Sequence, residues 1–522
     1  MNINLTEAQK DYAHFLPATS GFYATFIGKQ MSTDYVDPSR IPSNFNHGVE
    51  SLNYLNPNEG QFQYKWCLYS AGHADLDLSK DSPKEDMFRK RDRSTSWVLG
   101  DSGGFQIGKG KWEGDWKDPA CPKAQKKREL VLNWMDEMMD YGMILDIPAW
   151  VARSPAGAKA SGVGSYKEAL KATDINNEYF MKHRTGACKF LNVLQGENHA
   201  DADAWYEHMK HYSDPKLHPG NHLNGWSMGG QNMCDVHLVL KRLVALRFDG
   251  LLEKGVHDVM HFLGTSKLEW ATLLTDVQRA VRKYHNENFM VTFDCASPFL
   301  ATANGQIYCE LETEDRTKWV YRMVPSIDNL RLSQDTTPFA EAFVREGKHS
   351  SFLNSPITQG LTAKDICFYG HGDANKNGDV KVYRGEQERK KDGTLVVDEE
   401  GNPKIRIKDS TSWDSFSYAV MMGHNVWMHI NAVQEANRQY DKGIIPDMLV
   451  NDPSDKTAMQ TYDVMMFRDI VEAIFATDDK EVADAIIKEY SKYWMSIIGT
   501  RGATGKKTMN ASTQFGNLFE EV

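Results

Sequence analysis

The architecture of this chain can be inferred from one short stretch, Trp97-Val98-Leu99-Gly100-Asp101-Ser102-Gly103-Gly104-Phe105-Gln106. An apolar run ends here in a carboxylate, and two glycines follow. A buried parallel strand of a βα unit typically has this pattern, in which a turn residue closes the run and a helix comes next. We therefore predict a strand that ends near Asp101.

The same pattern recurs further along the chain, where other short apolar runs end in a polar residue or glycine. These ends are Asp146, Gln195, Gly229-Gly230, Gly264 and Asp294. The segments between them carry apolar residues at three- and four-residue spacing, which is typical of helices. The predicted helices span residues 130–141, 167–183, 202–211, 236–252 and 270–284. This alternation predicts an α/β fold, a TIM-type (β/α)8 barrel.

Active sites of such barrels are built at the C-terminal ends of the strands. Asp and Gly are also ordinary turn and helix-cap residues, so any single strand end is weak evidence. Turn chemistry does not require Ser-Gly-Gly-Phe-Gln after Asp101, however, nor a second aspartate, Asp294, about two hundred residues later. The series as a whole therefore favours a catalytic site.

These motifs resemble the tRNA-guanine transglycosylase superfamily. The resemblance rests on residues 99–106, Val193-Leu194-Gln195-Gly196, Met228-Gly229-Gly230 and Phe293-Asp294-Cys295, and on Met421-Met422-Gly423-His424-Asn425 near the C-terminus. It covers roughly residues 95–310, whereas residues 1–60 and 310–410 have no clear counterpart.

The resemblance implies base exchange in a nucleic acid, in which guanine leaves its sugar and a free 7-deazaguanine base takes its place. Asp294 matches the family's nucleophile, which traps an oxocarbenium-like centre covalently. Asp101 matches the general acid and base that protonates departing guanine and later deprotonates the incoming base.

The family's base-binding positions also have matches, at Ser102, Phe105, Asp146, Gln195, Gly229, Gly230 and Leu263. Phe105 and Leu263 would sandwich a flipped base, and Asp146 and Gln195 would read its edges. Two structural alternatives stay open. Phe105 and Leu263 could simply pack the top of the barrel, and Gln195 could be a buried amide that ties two loops together.

Three departures from the family pattern bear on substrate and cofactor. Leu300 and Ala303 replace arginines that hold RNA in the tRNA enzymes, and Ile147-Pro148 replaces an acidic residue and a cysteine after Asp146. The family's CxCxxC zinc cluster is absent. Cys367, His371 and His424 could still supply zinc ligands, although His424 could equally be a helix histidine bonded within the C-terminal region. No other cofactor is expected.

These departures favour DNA over tRNA as the substrate. The chain looks most like the DNA-guanine transglycosylases of phages and bacteria, which insert 7-deazaguanine derivatives into DNA and thereby protect it from restriction. A divergent tRNA-guanine transglycosylase is the closest alternative. A barrel glycosidase or nucleosidase is a further one, since two carboxylates suit that chemistry equally well. A non-catalytic subunit is disfavoured because both aspartates are present.

The predicted organisation has three parts: a catalytic barrel over residues 1–330, an insertion with β-hairpins over residues 331–410, and a C-terminal helical region over residues 411–522. The insertion contains short β-like runs at residues 394–397 and 405–407. Helices are predicted at residues 412–440, 456–476 and 480–498. With 522 residues, 41% of them hydrophobic, the chain is large enough to build one barrel core plus this appended subdomain.

The net charge of −11 excludes a uniformly basic nucleic-acid binder, but a local basic stripe would suffice. Candidate stripes are residues 89–93, residues 123–128 and the group Arg501, Lys506 and Lys507, each of which could equally be solvated surface. Seven scattered cysteines, an N-terminus without signal-peptide features and the lack of a membrane-spanning stretch predict the cytoplasm, that of the host if the protein is phage-encoded. Nothing in the sequence indicates the oligomeric state.

Overall fold

The computed structural model describes residues 10–32, 36–265, 267–347, 355–368, 383–387, 405–451 and 466–497, together with residues 390, 394 and 396. For residues 383–387 and 405–410 it describes the backbone alone.

Eight parallel strands form a barrel, as the sequence predicted. They are β1 His14–Pro17, β2 Trp66–Ser70, β3 Trp97–Asp101, β4 Tyr141–Met143, β5 Lys189–Leu194, β6 Gly225–Met228, β7 Val259–Phe262 and β8 Met290–Cys295. Strands β2 to β8 pair in chain order, and β1 pairs with β8. One bridge between Ala18 and Leu68 joins β1 to β2, with Thr19 N donating to Leu68 O at 2.9 Å, and this contact brings the sheet round into a nearly closed (β/α)8 barrel.

Helices follow the strands around the barrel. They are α1 Gly21–Ser32, α2 Asp86–Arg89, α3 Gly104–Gly108, α4 Pro122–Met138, α5 Pro155–Ser161, α6 Tyr166–His183, α7 His199–Met209, α8 Val236–Phe248, α9 Leu268–Tyr284 and α10 Ser297–Ala303. Three of the long helices begin at side-chain caps, because Ser165, Asn198 and Asp235 each accept a hydrogen bond from the backbone N–H three residues later.

The barrel interior is filled with side chains. Ser227 on β6 donates a hydrogen bond to Met143 Sδ at 3.1 Å, and β5 lies between the two strands, so this contact crosses the interior. The rings of His14 and Trp66 meet edge to face, with centroids 4.7 Å apart. A packed interior leaves the strand ends as the place for a ligand.

The C-terminal half adds two strand pairs and more helices. The strands are β9 Gln306–Glu312, β10 Val320–Pro325, β11 Tyr383–Gln387 and β12 Ile405–Ser410, and the helices are α11 Phe339–Arg345, α12 Ala363–Ile366, α13 Ser415–Asp441, α14 Phe467–Ala476, α15 Lys480–Glu489 and α16 Ser491–Ser496. Helix α13 packs on the barrel, where the His429 ring stacks on Phe15 of β1 with centroids 4.3 Å apart.

The sequence-based boundaries differ from the structure in a few places. Strand β4 ends at Met143, three residues before Asp146, because the backbone turns there and Asp146 N donates to Ile144 O at 2.9 Å. The helix predicted up to residue 141 ends at Met138, since Tyr141 already belongs to β4. In the insertion, β12 pairs antiparallel with β11, whereas Thr394 and Val396, which belong to the run predicted as its partner, lie outside any strand.

Candidate active site

The predicted site residues lie at one end of the barrel. Asp101 is the last residue of β3, Asp294 is the penultimate residue of β8, and Gln195 follows β5 directly. Gly229 follows β6 and Leu263 follows β7 in the same way. Because all eight strands are parallel, these C-terminal ends surround a single opening.

Asp101 is held by its neighbouring strand and by the turn that follows it. Ser70, its register partner on β2, donates to Asp101 Oδ2 at 2.6 Å, and Gly103 N donates to Oδ1 at 3.3 Å. Loss of hydration raises the pKa of Asp101 above its usual value; the hydrogen bonds from Ser70 and Gly103 oppose this shift, and the charge of Asp294 adds to it. A carboxyl group with a raised pKa stays protonated to higher pH, as a general acid requires.

Asp294 is anchored through one of its two oxygens. His261 Nε2 lies 3.1 Å from Asp294 Oδ1, and Gly264 N donates to the same oxygen at 2.9 Å. Thr292 Oγ1 lies 2.8 Å from the other ring nitrogen of His261. Asp294 keeps 8% of its surface exposed, so the carboxylate is mostly buried and still reaches the barrel opening.

Asp146 and Gln195 form a pair beside Asp101. Gln195 Nε2 donates to Asp146 Oδ2 at 2.7 Å. Burial raises the pKa of Asp146 to about 7; the hydrogen bond from Gln195 opposes this shift and the charge of Asp101 adds to it. The Gln195 amide therefore links two strand ends, as its structural alternative predicted, and it remains placed to meet a ligand.

Glycines let the backbone approach this pair closely. A Cβ atom on Gly229 would lie 2.6 Å from Gln195 Nε2, and one on Gly104 would lie 2.5 Å from Asp146 O. Gly230 has a positive φ of 55°, and a Cβ there would lie 2.4 Å from Gly196 O. The side-chain amide of Gln195 can therefore lie this close to the backbone only because Gly229 and Gly230 have no side chains.

The remaining predicted base-binding residues are also at this end of the barrel. Ser102 is buried, and the Phe105 ring is half-buried with its centroid 5.7 Å from that of Trp150. Leu263 is half-buried and packs against the core. Phe105 and Leu263 therefore each pack partly against other side chains, as their structural alternative predicted. That they sandwich a base stays a prediction.

Sequence reasoning missed Ser70 and His261, which contact the two aspartates, and Thr292, which contacts His261. Ser70 closes the apolar run of β2 and is followed by Ala-Gly, so the strand-end pattern that located Asp101 applies to it too. His261 and Thr292 lie inside strands β7 and β8. Only the register between those strands, which pairs His261 with Thr292, places them together.

The zinc site suggested by the sequence does not fit the described residues. His424 Nε2 lies 2.9 Å from the carbonyl oxygen of Tyr308, and Nδ1 lies 2.8 Å from the Ser355 hydroxyl, so both ring nitrogens are occupied. His371 lies outside the described residues. Within the part of the chain that the structure describes, no group of three histidine, cysteine or acidic side chains could hold a metal ion. His424 therefore matches its alternative, a histidine bonded within the C-terminal region.

The basic stretches are largely engaged in contacts within the protein. Arg91 is buried and binds Asp140 at 2.7 Å, while Lys90 pairs with Asp86. These residues precede β3 and β4 and lie at the opposite end of the barrel from Asp101. Lys123 pairs with Glu113. The tail residues 501, 506 and 507 lie outside the described residues.

No protein-family model matches this sequence, and a search of curated proteins gave no match either. Among the helices that the structure describes, none combines the length and the apolar character needed to cross a membrane.

Proposed function

We propose that this protein exchanges guanine in DNA for a 7-deazaguanine derivative through a covalent bond between Asp294 and the deoxyribose. One observation carries the proposal: Asp101 and Asp294, from strands β3 and β8, lie at the same end of the barrel with interacting charges, next to the Asp146–Gln195 pair.

The reaction begins with attack by Asp294 on C1′ of the target nucleotide. As in glycoside cleavage, C1′ gains oxocarbenium character as the bond to N9 of guanine stretches, and a carboxylate on the opposite face traps it. The hydrogen bonds from His261 and Gly264 hold this carboxylate in place, so little reorganisation is needed when it attacks.

Asp101 handles the protons. The pKa of Asp101 is raised, and in its protonated form this residue donates a proton to departing guanine. The resulting carboxylate then accepts a proton from the incoming base. Ser70 stabilises the charged form between the two steps through its hydrogen bond to Oδ2. The incoming base attacks C1′, the ester bond to Asp294 breaks, and the strand stays intact throughout.

A purine suits the remaining groups. The Asp146 carboxylate can accept N–H donors from a guanine edge, while the Gln195 amide and the nearby backbone of Gly229 can bind the carbonyl side. A simple glycosidase needs neither this pair nor an intermediate that awaits a second base. A flipped nucleotide would enter by leaving its stack, with Phe105 and Leu263 as the proposed surfaces around the base.

The surface along α10, the helix that follows β8, is consistent with a strand of unstacked bases. A cavity of about 360 Å³ lies along α10, and its lining includes Ser297, Leu300, Trp319, Tyr321 and Met323. Aromatic and apolar side chains stack on bases without sequence preference. Leu300 belongs to this lining, so the position that carries an arginine in the tRNA enzymes is here part of an apolar surface.

The proposal is tested by incubating the protein with guanine-labelled DNA or tRNA, with and without 7-deazaguanine bases. We expect label release from DNA that depends on the added base, and a protein–DNA adduct on denaturing gels. Release from tRNA alone would replace DNA with tRNA as the substrate. Release that leaves abasic sites and ignores the added base would identify a glycosidase.

Substitution of the two aspartates separates their roles. Asp294→Ala removes the only proposed nucleophile, so the adduct should be lost entirely. Asp101→Asn keeps the shape of the site but cannot exchange a proton, so DNA binding should persist while base exchange falls by about 100-fold or more. Base exchange by Asp294→Ala at the wild-type rate would show that another group attacks C1′.

A further inference from the structure

The proposed nucleophile belongs to a chain of three side chains inside the barrel. Thr292 Oγ1 lies 2.8 Å from His261 Nδ1, and His261 Nε2 lies 3.1 Å from Asp294 Oδ1. Neither Thr292 nor His261 is exposed to solvent. Water therefore does not compete for these hydrogen bonds, and their direction is set by the three residues and by Gly264, which donates to the same oxygen of Asp294.

The direction of the chain follows from the donors available. The nucleophile of the proposed reaction is the Asp294 carboxylate, whose oxygens only accept hydrogen bonds, so the proton between Oδ1 and His261 Nε2 belongs to Nε2. In the neutral imidazole, Nδ1 then carries a lone pair, and only the Thr292 hydroxyl is placed to donate to it. The opposite tautomer would direct a lone pair at Asp294 and would match only the protonated acid.

The carboxylate is also held asymmetrically. Within the part of the chain that the structure describes, both hydrogen bonds to Asp294 reach Oδ1 and none reaches Oδ2. An oxygen that accepts two hydrogen bonds is the weaker nucleophile, because its lone pairs are engaged. Oδ2 is thus the oxygen left to react.

We infer that His261 is a positioning residue, which holds the Asp294 carboxylate with Oδ2 directed at the substrate, and that Thr292 selects the His261 tautomer that donates to Oδ1. This inference rests on the proposed function. During the reaction the Oδ2–C1′ bond forms and the C1′–N9 bond breaks. The bonding pair goes to N9 of guanine, which takes its proton from Asp101, while His261 keeps its own proton throughout.

If His261 only filled space inside the barrel, an apolar side chain would do so at a lower free-energy cost. Burying a polar ring without partners is unfavourable. His261 has partners at both nitrogens, and one of them is the group that the proposed chemistry uses. The arrangement is the one expected of a residue that orients a reactive group.

The decisive experiment compares variants of His261 and Thr292 by their rate of adduct formation at saturating DNA and by their DNA dissociation constant. His261→Leu should lower the adduct rate by about 10- to 100-fold, the range expected for losing a hydrogen bond to a charged group, and leave DNA binding unchanged. His261→Gln, whose amide can donate to Oδ1, should restore most of the rate. Thr292→Val should lower the rate severalfold, while Thr292→Ser retains it.

His257→Leu is the matched control, because His257 is equally buried but binds the Ser213 carbonyl oxygen away from Asp294. It should lower stability and leave the adduct rate unchanged. Should His261→Leu fail to fold, the Thr292→Val and Thr292→Ser pair carries the test, since valine matches threonine in volume.

Wild-type protein separates the two claims. If it forms no adduct and exchanges no base in DNA or tRNA, the proposed function fails. If it does react and His261→Leu and Thr292→Val react equally fast, the inference on His261 is overturned. Nitrogen-15 spectra of the histidine rings give a readout independent of activity: a signal for Nε2–H that is lost in His261→Gln supports the tautomer, and one for Nδ1–H overturns it.

Discussion

Asp101 and Asp146 show how neighbouring carboxyl groups acquire different properties at one barrel end. Asp101 receives hydrogen bonds from a hydroxyl and a backbone N–H, and both stabilise its charged form. Asp146 accepts a hydrogen bond from the Gln195 amide, and burial raises its pKa to about 7. The two groups therefore differ in the donors that oppose the effect of burial on the pKa.

The raised pKa of Asp146 predicts a measurable stability change. An unfolded aspartate loses its proton near pH 4, while native Asp146 keeps its proton to about pH 7, so the free energy of unfolding falls as pH rises between these values. Asp146→Asn removes this dependence. Relative to wild type, the variant should gain about 2 kcal/mol between pH 5 and pH 8, measured by urea unfolding.

Asp276→Asn is the control for this prediction. Asp276 is also buried, has a pKa raised to about 7 and binds Tyr440 at 2.5 Å, far from the barrel opening. Both variants should show the stability gain, but only Asp146→Asn should lose base affinity, by about 10- to 100-fold. Unchanged base binding by Asp146→Asn would remove Asp146 from the recognition site.

At the scale of elements, the residue that closes each apolar run decides whether its strand can be predicted from the sequence. Strands β3 to β8 were predictable because each apolar run is closed by a glycine or polar residue that also serves the site. Strands β1 and β2 were not identified, since both precede the stretch, roughly residues 95–310, that carries the resemblance. Contacts such as Ser70 with Asp101 depend on strand register, which local sequence patterns do not encode.

The turn after β6 gives a prediction at this scale. Gly229 has an ordinary φ of −112°, so Gly229→Ala adds a methyl group without backbone strain. That methyl would lie 2.6 Å from Gln195 Nε2 and should displace the amide from Asp146, reducing base affinity by about tenfold or more. Gly164→Ala, where the nearest atom is 3.5 Å away, should change neither affinity nor stability. Equal affinities for both variants, measured by calorimetry, would contradict the prediction.

At the scale of the whole molecule, helix α13 connects the N-terminal segment of the chain to the C-terminal region. Arg40 binds both oxygens of Asp414, the N-cap of this helix, at 2.7 and 2.8 Å, and also donates to Asp365 O and Ser417. At the other end of the helix, Arg279 binds Asp441 with both side chains about a third exposed. The two pairs differ mainly in burial.

That difference predicts unequal contributions to stability. Arg40→Ala leaves Asp414 without its buried partner and should lower the free energy of unfolding by about 3–5 kcal/mol. Arg279→Ala breaks an exposed pair and should cost about 0–1 kcal/mol. Denaturant unfolding of both variants measures the comparison, and similar losses would show that burial does not govern the two pairs.

The pairing of β1 with β8 sets the order in which this barrel can close during synthesis. At about 5–20 residues per second, β1 leaves the ribosome roughly 15–60 s before β8, and α13 emerges later still. Until then Phe15 lacks both Phe293 and His429, its eventual ring neighbours. The barrel therefore cannot close until β8 has emerged, and synthesis that stops before residue 290 yields a chain that lacks both this strand pairing and Asp294.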